Sequence, residues 1–241
     1  MSEQVKPYDP QGSKKEQIAS MFDNISGRYD LLNHLLSLNI DKYWRGRAVK
    51  LLAGYRPKTI LDVATGTGDF AISLMKLEPE KITGIDISEG MLEVGQKKVV
   101  EKQLDNHIEL MVGDAEQMPF DNHSFEAVTV AFGVRNFESL NRGISEIYRV
   151  LKPGYPAVIL EFSKPDKFPV KQLYNFYFKY ILPTIGRLLS SDQRAYSYLP
   201  ESVEAFPEGK DFIALLETCG FRHIKQMRLT FGIATIYLAE K

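Results

Sequence analysis

The chain has 241 residues, in which 30 lysines and arginines stand against 31 aspartates and glutamates, so its net charge is −1. This balance argues against a dedicated nucleic-acid binder, because neutralising phosphates requires a basic excess. The single cysteine, Cys219, excludes an intramolecular disulfide and a cysteine-based zinc site, and it fits a reducing compartment. The scattered histidines lack metal-ligand spacing, so we expect no metal site.

The first 52 residues divide into a polar stretch and a helical stretch. Residues 1–13 predict a flexible tail, because prolines and a glycine interrupt a polar sequence. Over residues 14–52 apolar side chains recur at helical spacing, which predicts three helical segments, the last of them capped by Asp41. Because these segments precede the first strand signal, we expect an N-terminal helical cap on a single domain of residues 14–241.

Strand and helix signals then alternate along the chain. Short apolar strands are predicted at Thr59–Val63, Lys81–Ile85, Ile108–Val112, Ala127–Ala131, Ala157–Glu161, His223–Leu229 and Ile233–Ala239. Helices are predicted at Asp69–Leu77, Glu89–Gln103, Phe137–Leu151 and Lys210–Thr218. The alternation predicts an α/β fold with a mostly parallel sheet covered by helices on both faces. Only three residues join the last two strands, so we expect these to form an antiparallel hairpin.

The segment Ser163–Pro207 interrupts this alternation. It carries nine aromatic residues and several prolines, and it is too long for a plain connection. We interpret it as an inserted lid, lined with aromatic rings, that covers the substrate. The alternatives are a satellite core packed on the sheet, a homodimer interface, and a surface that touches a membrane.

A glycine-rich loop follows the first predicted strand. In LDVATGTGDF, residues 61–70, the strand runs into Gly66, Thr67 and Gly68, and a helix begins directly after them. Glycines there let the backbone approach a ligand closely, and a helix N-terminus offers free N–H groups. Asp86 follows eighteen residues after the second glycine, at the end of the second strand, where a carboxylate can accept both hydroxyls of a ribose.

The loop also satisfies the looser dinucleotide fingerprint, which ends at Ala71. Charge separates the two interpretations. Asp62 and Asp69 flank the loop and would repel a pyrophosphate, whereas S-adenosylmethionine carries an ammonium and a sulfonium. Asp114 and Ala115 follow the third strand, where a carboxylate and an N–H group suit an adenine ring. The pattern therefore favours S-adenosylmethionine over a nicotinamide dinucleotide.

Two longer stretches are similar to signatures of a known family. They are YDLLNHLLSLNIDKYW, Tyr29–Trp44, and RVLKPGYPAVILEFSKP, Arg149–Pro165, and FGVRN, Phe132–Asn136, is a further shared feature. On these residues the chain resembles the ubiquinone/menaquinone biosynthesis C-methyltransferases over nearly its whole length. It departs from them at Asp41, where the family usually has histidine, and at Tyr155, where a second glycine is common.

The resemblance implies a Rossmann-like class I methyltransferase fold in which Thr67, Asp86, Asp114 and Ala115 bind S-adenosylmethionine. It also implies methyl transfer to a ring carbon of a polyprenylated quinol. We favour demethylmenaquinol as the substrate, and the sequence leaves open a polyprenyl-benzoquinol as a second substrate, or another lipid or phenol. A non-catalytic S-adenosylmethionine-binding scaffold is disfavoured by the intact glycine loop.

Ring-carbon methylation requires the reduced substrate, because a quinol phenolate places electron density on the adjacent ring carbon and a quinone does not. Arg135 and Asn136 follow the fourth strand, at the edge where open α/β sheets place their ligands. We expect Arg135 to hold the phenolate oxygen and Asn136 to donate a hydrogen bond to the same ring. Tyr29 and His34 are expected to close over the substrate. The alternatives are an ion-pair role for Arg135 and a core position for Tyr29.

The expected location and partners follow from the same features. No apolar run approaches the length of a membrane span, so we expect a cytoplasmic protein. A polyprenylated substrate adds the expectation of peripheral contact with the inner face of the membrane. No nucleic acid is expected as a partner.

Overall fold

The computed structural model describes residues 5–181, 184 and 192–241. Within these residues seven strands form one sheet: β1 Thr59–Val63, β2 Lys81–Asp86, β3 Ile108–Val112, β4 Ala127–Ala131, β5 Pro156–Phe162, β6 Arg222–Leu229 and β7 Ala234–Glu240. Their order across the sheet is β3-β2-β1-β4-β5-β7-β6. The first five strands are parallel, and β7 runs antiparallel to both β5 and β6. The predicted fold class is confirmed.

Each strand lies within one residue of its predicted bounds at either end. The central strands β1, β4 and β5 are buried over almost their whole length, and such strands appear in a sequence as short continuous apolar runs. The order of the strands reverses between β1 and β4. The carboxyl ends of these two strands therefore open the crevice in which sheets of this kind bind ligands.

Helices fill the connections between the strands and precede the first of them. They are α1 Lys14–Leu36, α2 Ile40–Leu52, α3 Asp69–Leu74, α4 Glu89–Glu101, α5 Leu140–Val150, α6 Val170–Phe176, α7 Gln193–Ala205 and α8 Lys210–Thr218. Single 3₁₀ turns lie at Met75–Leu77, Val134–Asn136 and Thr230–Gly232, and a π-helical turn at Tyr177–Ile181. α5 begins three residues later than predicted, because the side chain of Ser139 caps it.

The prediction of three N-terminal helical segments is wrong, because α1 runs unbroken over 23 residues. Its buried residues Ile18, Met21, Ile25 and Leu32 keep one stripe along the whole helix, so nothing ends it early. Asp41 does not cap the next helix. Asn39 takes the N-cap position with a left-handed φ of 59°, and Asp41 lies in the first turn.

Two apolar layers cover the faces of the sheet. On one face α2, α3 and α4 pack through side chains such as Leu52, Leu74 and Val99. On the other face α5 and α8 pack through Ile147 and Phe212. These layers hold the strand ends rigidly, so that the loops at the carboxyl edge start from fixed positions.

The N-terminal helix packs against the segment that interrupts the alternation. Ile18 and Met21 of α1 share a buried cluster with Tyr198 of α7. Residues 5–13 continue along α7, where the side chain of Arg194 donates a hydrogen bond to the carbonyl of Pro7. Residues 182–183 and 185–191 of the predicted lid lie outside the described residues. In the part of the chain that is described, no helix is long and apolar enough to cross a membrane.

Candidate active site

A cleft lies at the carboxyl ends of β1, β2, β3 and β4, and one side of α1 closes it. It holds about 660 Å³ of space between the protein atoms, part of which is open to solvent. Of the residues predicted to bind or react, those that line it are Tyr29, Gly66, Asp86, Asp114, Ala115 and Asn136. Thr67, Gly68 and Arg135 lie behind its surface. The side chain of Met91 also lines the cleft.

The glycine loop is held from below by Asp86. Gly66 and Gly68 have left-handed φ angles of 56° and 77°, which glycine adopts without strain. One carboxylate oxygen of Asp86 accepts a hydrogen bond from the N–H of Gly66 at 2.8 Å, and the other accepts from Ser88 at 2.9 Å. Burial raises the pKa of Asp86, and these N–H donors oppose that shift. The carboxylate offers about four acceptor positions, so it retains acceptor capacity towards the cleft that it lines.

Two residues without glycine's freedom also take left-handed conformations at the cleft. Ala64 has a φ of 52° and Phe132 a φ of 59°, directly after β1 and β4. Strained backbone of this kind concentrates at functional sites. A Cβ on Gly133 would lie 2.5 Å from the Cβ of Ala64, so only glycine fits there. This close contact explains the glycine of the FGVRN motif.

Asp62 lies beneath the loop in the core. Its carboxylate accepts hydrogen bonds from the hydroxyls of Thr65 at 2.7 Å and Thr129 at 2.6 Å. Burial raises the pKa of Asp62 to about 6, although both hydroxyls favour the charged form. The side chain thus supports the strand end and does not reach the cleft surface.

Replacing Asp62 by asparagine should change how the stability depends on pH. The folded protein binds this proton more tightly than the unfolded chain, so the contribution of Asp62 to stability is full below about pH 4 and is lost as the pH rises through about 6. Wild type should therefore lose about 1.4 kcal/mol more than Asp62→Asn between about pH 5 and pH 7.5. Urea unfolding of both proteins at the two pH values measures this difference, and parallel losses would contradict the assignment.

Carboxylates of α1 bind the loops that follow β1 and β2. Asp23 accepts hydrogen bonds from the hydroxyl of Ser88 at 2.6 Å and the N–H of Gly90 at 2.9 Å. Asp30, seven residues on, accepts from the hydroxyl of Thr67 and from the ammonium of Lys98. α1 is thereby fixed to the loops that follow β1 and β2. These contacts could not be predicted from local sequence patterns, because each joins residues more than 35 positions apart.

A second polar cluster joins α1, α2 and the start of α3. His34 lies 2.9 Å from Asp41 and 3.3 Å from Asp69. Arg45 donates hydrogen bonds to both carboxylates, and Lys98 pairs with Asp69 as well. One ligand atom from the histidine and one from each carboxylate lie within 4.8 Å of one another, close enough to hold a metal ion, although no metal site was expected from the sequence. Because two cations already neutralise the carboxylates, we interpret the cluster as an ion-pair network. Asp41, where the family usually has histidine, is one of its acceptors.

Arg135 lies at the carboxyl end of β4 and pairs with Glu161 at the end of β5. Its Nη1 is 2.9 Å from the carboxylate, and the side chains are 8% and 0% exposed. Nη1 also donates to the carbonyl of Phe132, and the guanidinium lies 5.5 Å from the ring centre of Phe162. Burial raises the pKa of Glu161, which the charge of Arg135 opposes. The Nε of Arg135 is buried and has no hydrogen-bond partner among the described residues.

Lys14 and Tyr198 fix the loop that carries Arg135. The buried ammonium of Lys14 donates to the carbonyls of Arg135 at 3.0 Å and Phe137 at 2.9 Å. Burial lowers the pKa of Lys14 to about 8, and the nearby charge of Arg135 lowers it further. The hydroxyl of Tyr198 donates to the side-chain oxygen of Asn136 at 3.3 Å. Asn136 also lines the cleft. Burial also raises the pKa of Tyr29, which keeps its hydroxyl protonated.

Sequence comparison with known proteins shows the family of this chain. The model of the ubiE/COQ5 methyltransferase family matches residues 10–241. The chain belongs to this family. It is 50% identical to a demethylmenaquinone methyltransferase of Bacteroides fragilis, over 99% of this chain and 98% of that protein. It is 46% identical to a ubiquinone/menaquinone biosynthesis C-methyltransferase UbiE of Geobacter sulfurreducens, over 95% of this chain and 90% of that protein. The suspected resemblance is confirmed.

Solved structures agree with the fold. A SAM-dependent methyltransferase of Thermotoga maritima, a possible histamine N-methyltransferase, superposes with a TM-score of 0.65 at 18% identity, over 92% of this chain and 99% of that one. Such low identity supports the architecture alone. Family and fold together make the chain an S-adenosylmethionine-dependent methyltransferase.

The residues of the cleft suit S-adenosylmethionine. Four acidic side chains and a single basic one, Lys15, line it, so it favours a cationic ligand over a pyrophosphate. Lys15 lies against Asp114, and the N–H of Glu116 binds the other oxygen of that carboxylate at 2.9 Å. A Cβ on Gly66 would make only an ordinary contact with Met91 at 3.4 Å, so it is the left-handed φ of 56° that favours glycine beside Asp86. When bound, the cofactor supplies a methyl group on a sulfonium, which is an activated leaving group.

Proposed function

We propose that this enzyme methylates a ring carbon of demethylmenaquinol and so forms menaquinol. The observation that carries the proposal is the buried guanidinium of Arg135, which is held beside a cofactor cleft with one donor atom unpaired. An acceptor oxygen on the substrate would satisfy that donor. The Bacteroides fragilis relative, whose name gives demethylmenaquinone as its substrate, supports the naphthoquinol.

Each proposed catalytic residue has one task. Arg135 stabilises the quinol oxygen as it ionises, because a fixed cation in a site that excludes water acts strongly on developing charge. Asn136, held by Tyr198, donates its amide to the same ring, and Tyr29 closes the α1 side of the cleft. Ionisation of the hydroxyl places electron density on the adjacent carbon. That carbon takes the methyl group and then releases its proton, which restores the aromatic ring.

For cofactor binding we propose Gly66, Thr67, Gly68, Asp86, Asp114 and Ala115. Asp86 accepts the ribose hydroxyls, and Asp114 with the N–H of Ala115 receives the adenine ring. The hydroxyl of Thr67 already donates to Asp30, so Thr67 acts by holding the loop against α1. Binding of adenine requires Lys15 to share the carboxylate of Asp114 or to leave it.

Labelled S-adenosylmethionine tests the function directly. Each reaction contains the purified enzyme, the labelled cofactor and one substrate. The four substrates are reduced demethylmenaquinol, a reduced polyprenyl-benzoquinol and the oxidised form of each. Mass spectrometry should show one added methyl group on carbon in the reduced naphthoquinol, and none in either quinone. Label in no quinol product would overturn the proposal.

A second candidate is an enzyme that acts on both quinols. The Geobacter sulfurreducens relative, whose name includes both ubiquinone and menaquinone biosynthesis, favours it. In the same assay this candidate predicts comparable label in the benzoquinol product. If the enzyme prefers demethylmenaquinol, the naphthoquinol, by more than about tenfold, methylation of demethylmenaquinol alone is the function that the assay supports.

We also propose that the enzyme contacts a membrane, where a polyprenylated quinol resides. Two helices expose apolar side chains on adjoining surfaces, which we call the apolar rim: Leu31, Leu35 and Leu38 near the end of α1, and Leu173, Phe176 and Tyr180 on and after α6. The hydroxyl of Tyr177 donates to the carbonyl of Leu36 at 2.9 Å, so the two rows meet. α1 also carries Tyr29, which lines the cleft two residues before Leu31 of the rim.

Exchanging two rim residues for serine should weaken binding to vesicles. Leu35 and Phe176 are 50% and 56% exposed, and burying side chains of this size contributes about 1.5–3 kcal/mol each. Leu35→Ser/Phe176→Ser should therefore lower vesicle partitioning at least about tenfold, and should slow turnover of long-tailed quinols without slowing a tail-less quinol. Val100→Ser, 55% exposed on α4, is the matched control. Equal losses on both substrates, with loss of dimers in sedimentation, would favour a dimer interface instead.

A further inference from the structure

Tyr174 of α6 has an unusual environment for a tyrosine. Its hydroxyl oxygen is buried, and it has no hydrogen-bond partner among the described residues. Within those residues the other buried side-chain atom in this condition is the Nε of Arg135. A buried polar group without a partner is costly, and native structures hold few of them. Two such atoms in one region indicate a ligand that binds both.

Comparison with other tyrosines shows that burial alone does not leave a hydroxyl unpaired here. The hydroxyl of Tyr198 donates to Asn136, and that of Tyr177 donates to the carbonyl of Leu36. The oxygen of Tyr237 accepts from the N–H of Gly209 at 2.8 Å. The ring of Tyr174 is stacked on Phe178 with centroids 4.2 Å apart, which fixes the direction of its hydroxyl.

Tyr174 and Arg135 are linked through packed residues: Tyr174 stacks on Phe178, which packs against the buried cluster that contains Tyr198, and Tyr198 donates to Asn136, the chain neighbour of Arg135. Burial raises the pKa of Tyr174, the charges of Glu208, Glu204 and Glu161 raise it further, and the charge of Arg135 opposes them. The tyrosine therefore stays protonated. Towards an anionic oxygen, its hydroxyl acts as a hydrogen-bond donor. Glu161 does not take this hydrogen bond: its carboxylate accepts from the Nη1 of Arg135 and from the backbone N–H groups of Arg135 and Phe162, while the hydroxyl of Tyr174 has no partner among the described residues.

Arg135 likewise has a buried donor atom, Nε, without a hydrogen-bond partner among the described residues. Glu161 and the carbonyl of Phe132 take Nη1, and the ring of Phe162 lies against the guanidinium plane. The Nε–H remains as a directed donor. Nε–H and the hydroxyl of Tyr174 are both donors, so the group that satisfies them is an acceptor, and an anionic oxygen is the acceptor that gains most from two fixed donors.

We propose that Tyr174 is a catalytic residue, which donates its hydroxyl proton in a hydrogen bond to the same quinol oxygen that Arg135 stabilises. This inference rests on the proposed function and assigns a task to the segment Ser163–Pro207. Within that segment Tyr174 contributes a polar donor to the reacting oxygen. The tyrosine transfers no proton; its hydrogen bond strengthens as the quinol oxygen becomes negative, which lowers the barrier to methylation.

Binding of a coloured phenolate tests the donor without any turnover. The probe is 2-hydroxy-1,4-naphthoquinone, whose anion has the ring size and the charged oxygen of the ionised substrate. Tyr174→Phe should weaken its binding about tenfold or more, because a hydrogen bond to a charged group is lost. Tyr177→Phe removes a hydroxyl from the same segment and should leave the affinity unchanged. The affinity for S-adenosylmethionine should be the same in all three proteins.

Stability separates this role from a structural one. A hydroxyl that supports the fold lowers the melting temperature when it is removed. The hydroxyl of Tyr174 has no partner in the free protein, so Tyr174→Phe should melt at the wild-type temperature or above it, while kcat on demethylmenaquinol falls at least about tenfold. A lower melting temperature with unchanged probe affinity would overturn the inference.

The outcomes also distinguish this inference from the function on which it rests. If wild type methylates the quinol and Tyr174→Phe matches it in kcat and probe binding, the inference is wrong and the function stands. If wild type methylates no quinol but binds the probe more tightly than Tyr174→Phe does, the function is wrong, and the two donors are an oxyanion site for another phenol.

Discussion

Asp86→Ala should weaken binding of S-adenosylmethionine by about 10- to 150-fold. The ribose hydroxyls lose a charged acceptor, which contributes about 1.5–3 kcal/mol. The structure adds a second reason, because the same carboxylate receives the N–H groups of Gly66 and Ser88 and so holds the glycine loop in shape. Isothermal titration calorimetry of both proteins measures the change in affinity.

The control for this variant is Asp105→Ala, which removes an exposed aspartate outside the cleft. It should leave the affinity at the wild-type value. Urea unfolding without cofactor shows whether Asp86→Ala is folded under the titration conditions. A folded Asp86→Ala protein that binds the cofactor as tightly as wild type would show that Asp86 does not bind the ribose.

The sheet could be predicted because its signals are local. The central strands β1, β4 and β5 are short and largely apolar runs, and the glycine loop is a motif of ten residues between a strand and a helix. The N-terminal helices were harder to delimit. The apolar stripe of α1 continues past the point where the sequence suggested a break, and α2 begins at a left-handed asparagine, which has no clear sequence signal.

Most of the predicted residues that line the cleft lie close to a strand end, and Tyr29 on α1 is the exception. Asp86, Asp114 and Asn136 line the cleft as their positions after β2, β3 and β4 suggested. Glu161 was not foreseen, although the sequence placed it at the end of a strand. Its role comes from pairing across two strand ends with Arg135, and no spacing in the sequence encodes that contact.

Contacts between residues far apart in the chain also explain why the sequence predicted α1 only as a helical cap on the domain. Its acidic residues Asp23 and Asp30 bind the loops after β1 and β2, and its first residue, Lys14, binds the loop after β4. One helix thus fixes three of the loops that form the cleft. Residues 14–52 are part of the active site's framework, so a change in α1 should alter the cleft as well as its access.

The second large effect is expected at Arg135. Its removal should lower kcat by about 100- to 1,000-fold, the usual loss when a fixed donor to a developing oxyanion is taken away. Affinity for S-adenosylmethionine should change little, since Arg135 does not line the cofactor cleft. The variant has a confounding cost, however. Removing one partner leaves Glu161 as an unpaired buried charge, which destabilises by about 3–5 kcal/mol.

Removing both charges separates catalysis from ion pairing. In Arg135→Met/Glu161→Gln no buried charge is left unpaired, and replacing a whole buried pair is often neutral or stabilising. The double variant should therefore recover most of the stability that Arg135→Met loses. If Arg135 stabilises the quinol oxygen, its turnover stays about 100-fold or more below wild type. If the arginine serves only to neutralise Glu161, the double variant should regain turnover together with stability. The catalytic assignment therefore predicts that the double variant regains its stability but does not regain its turnover.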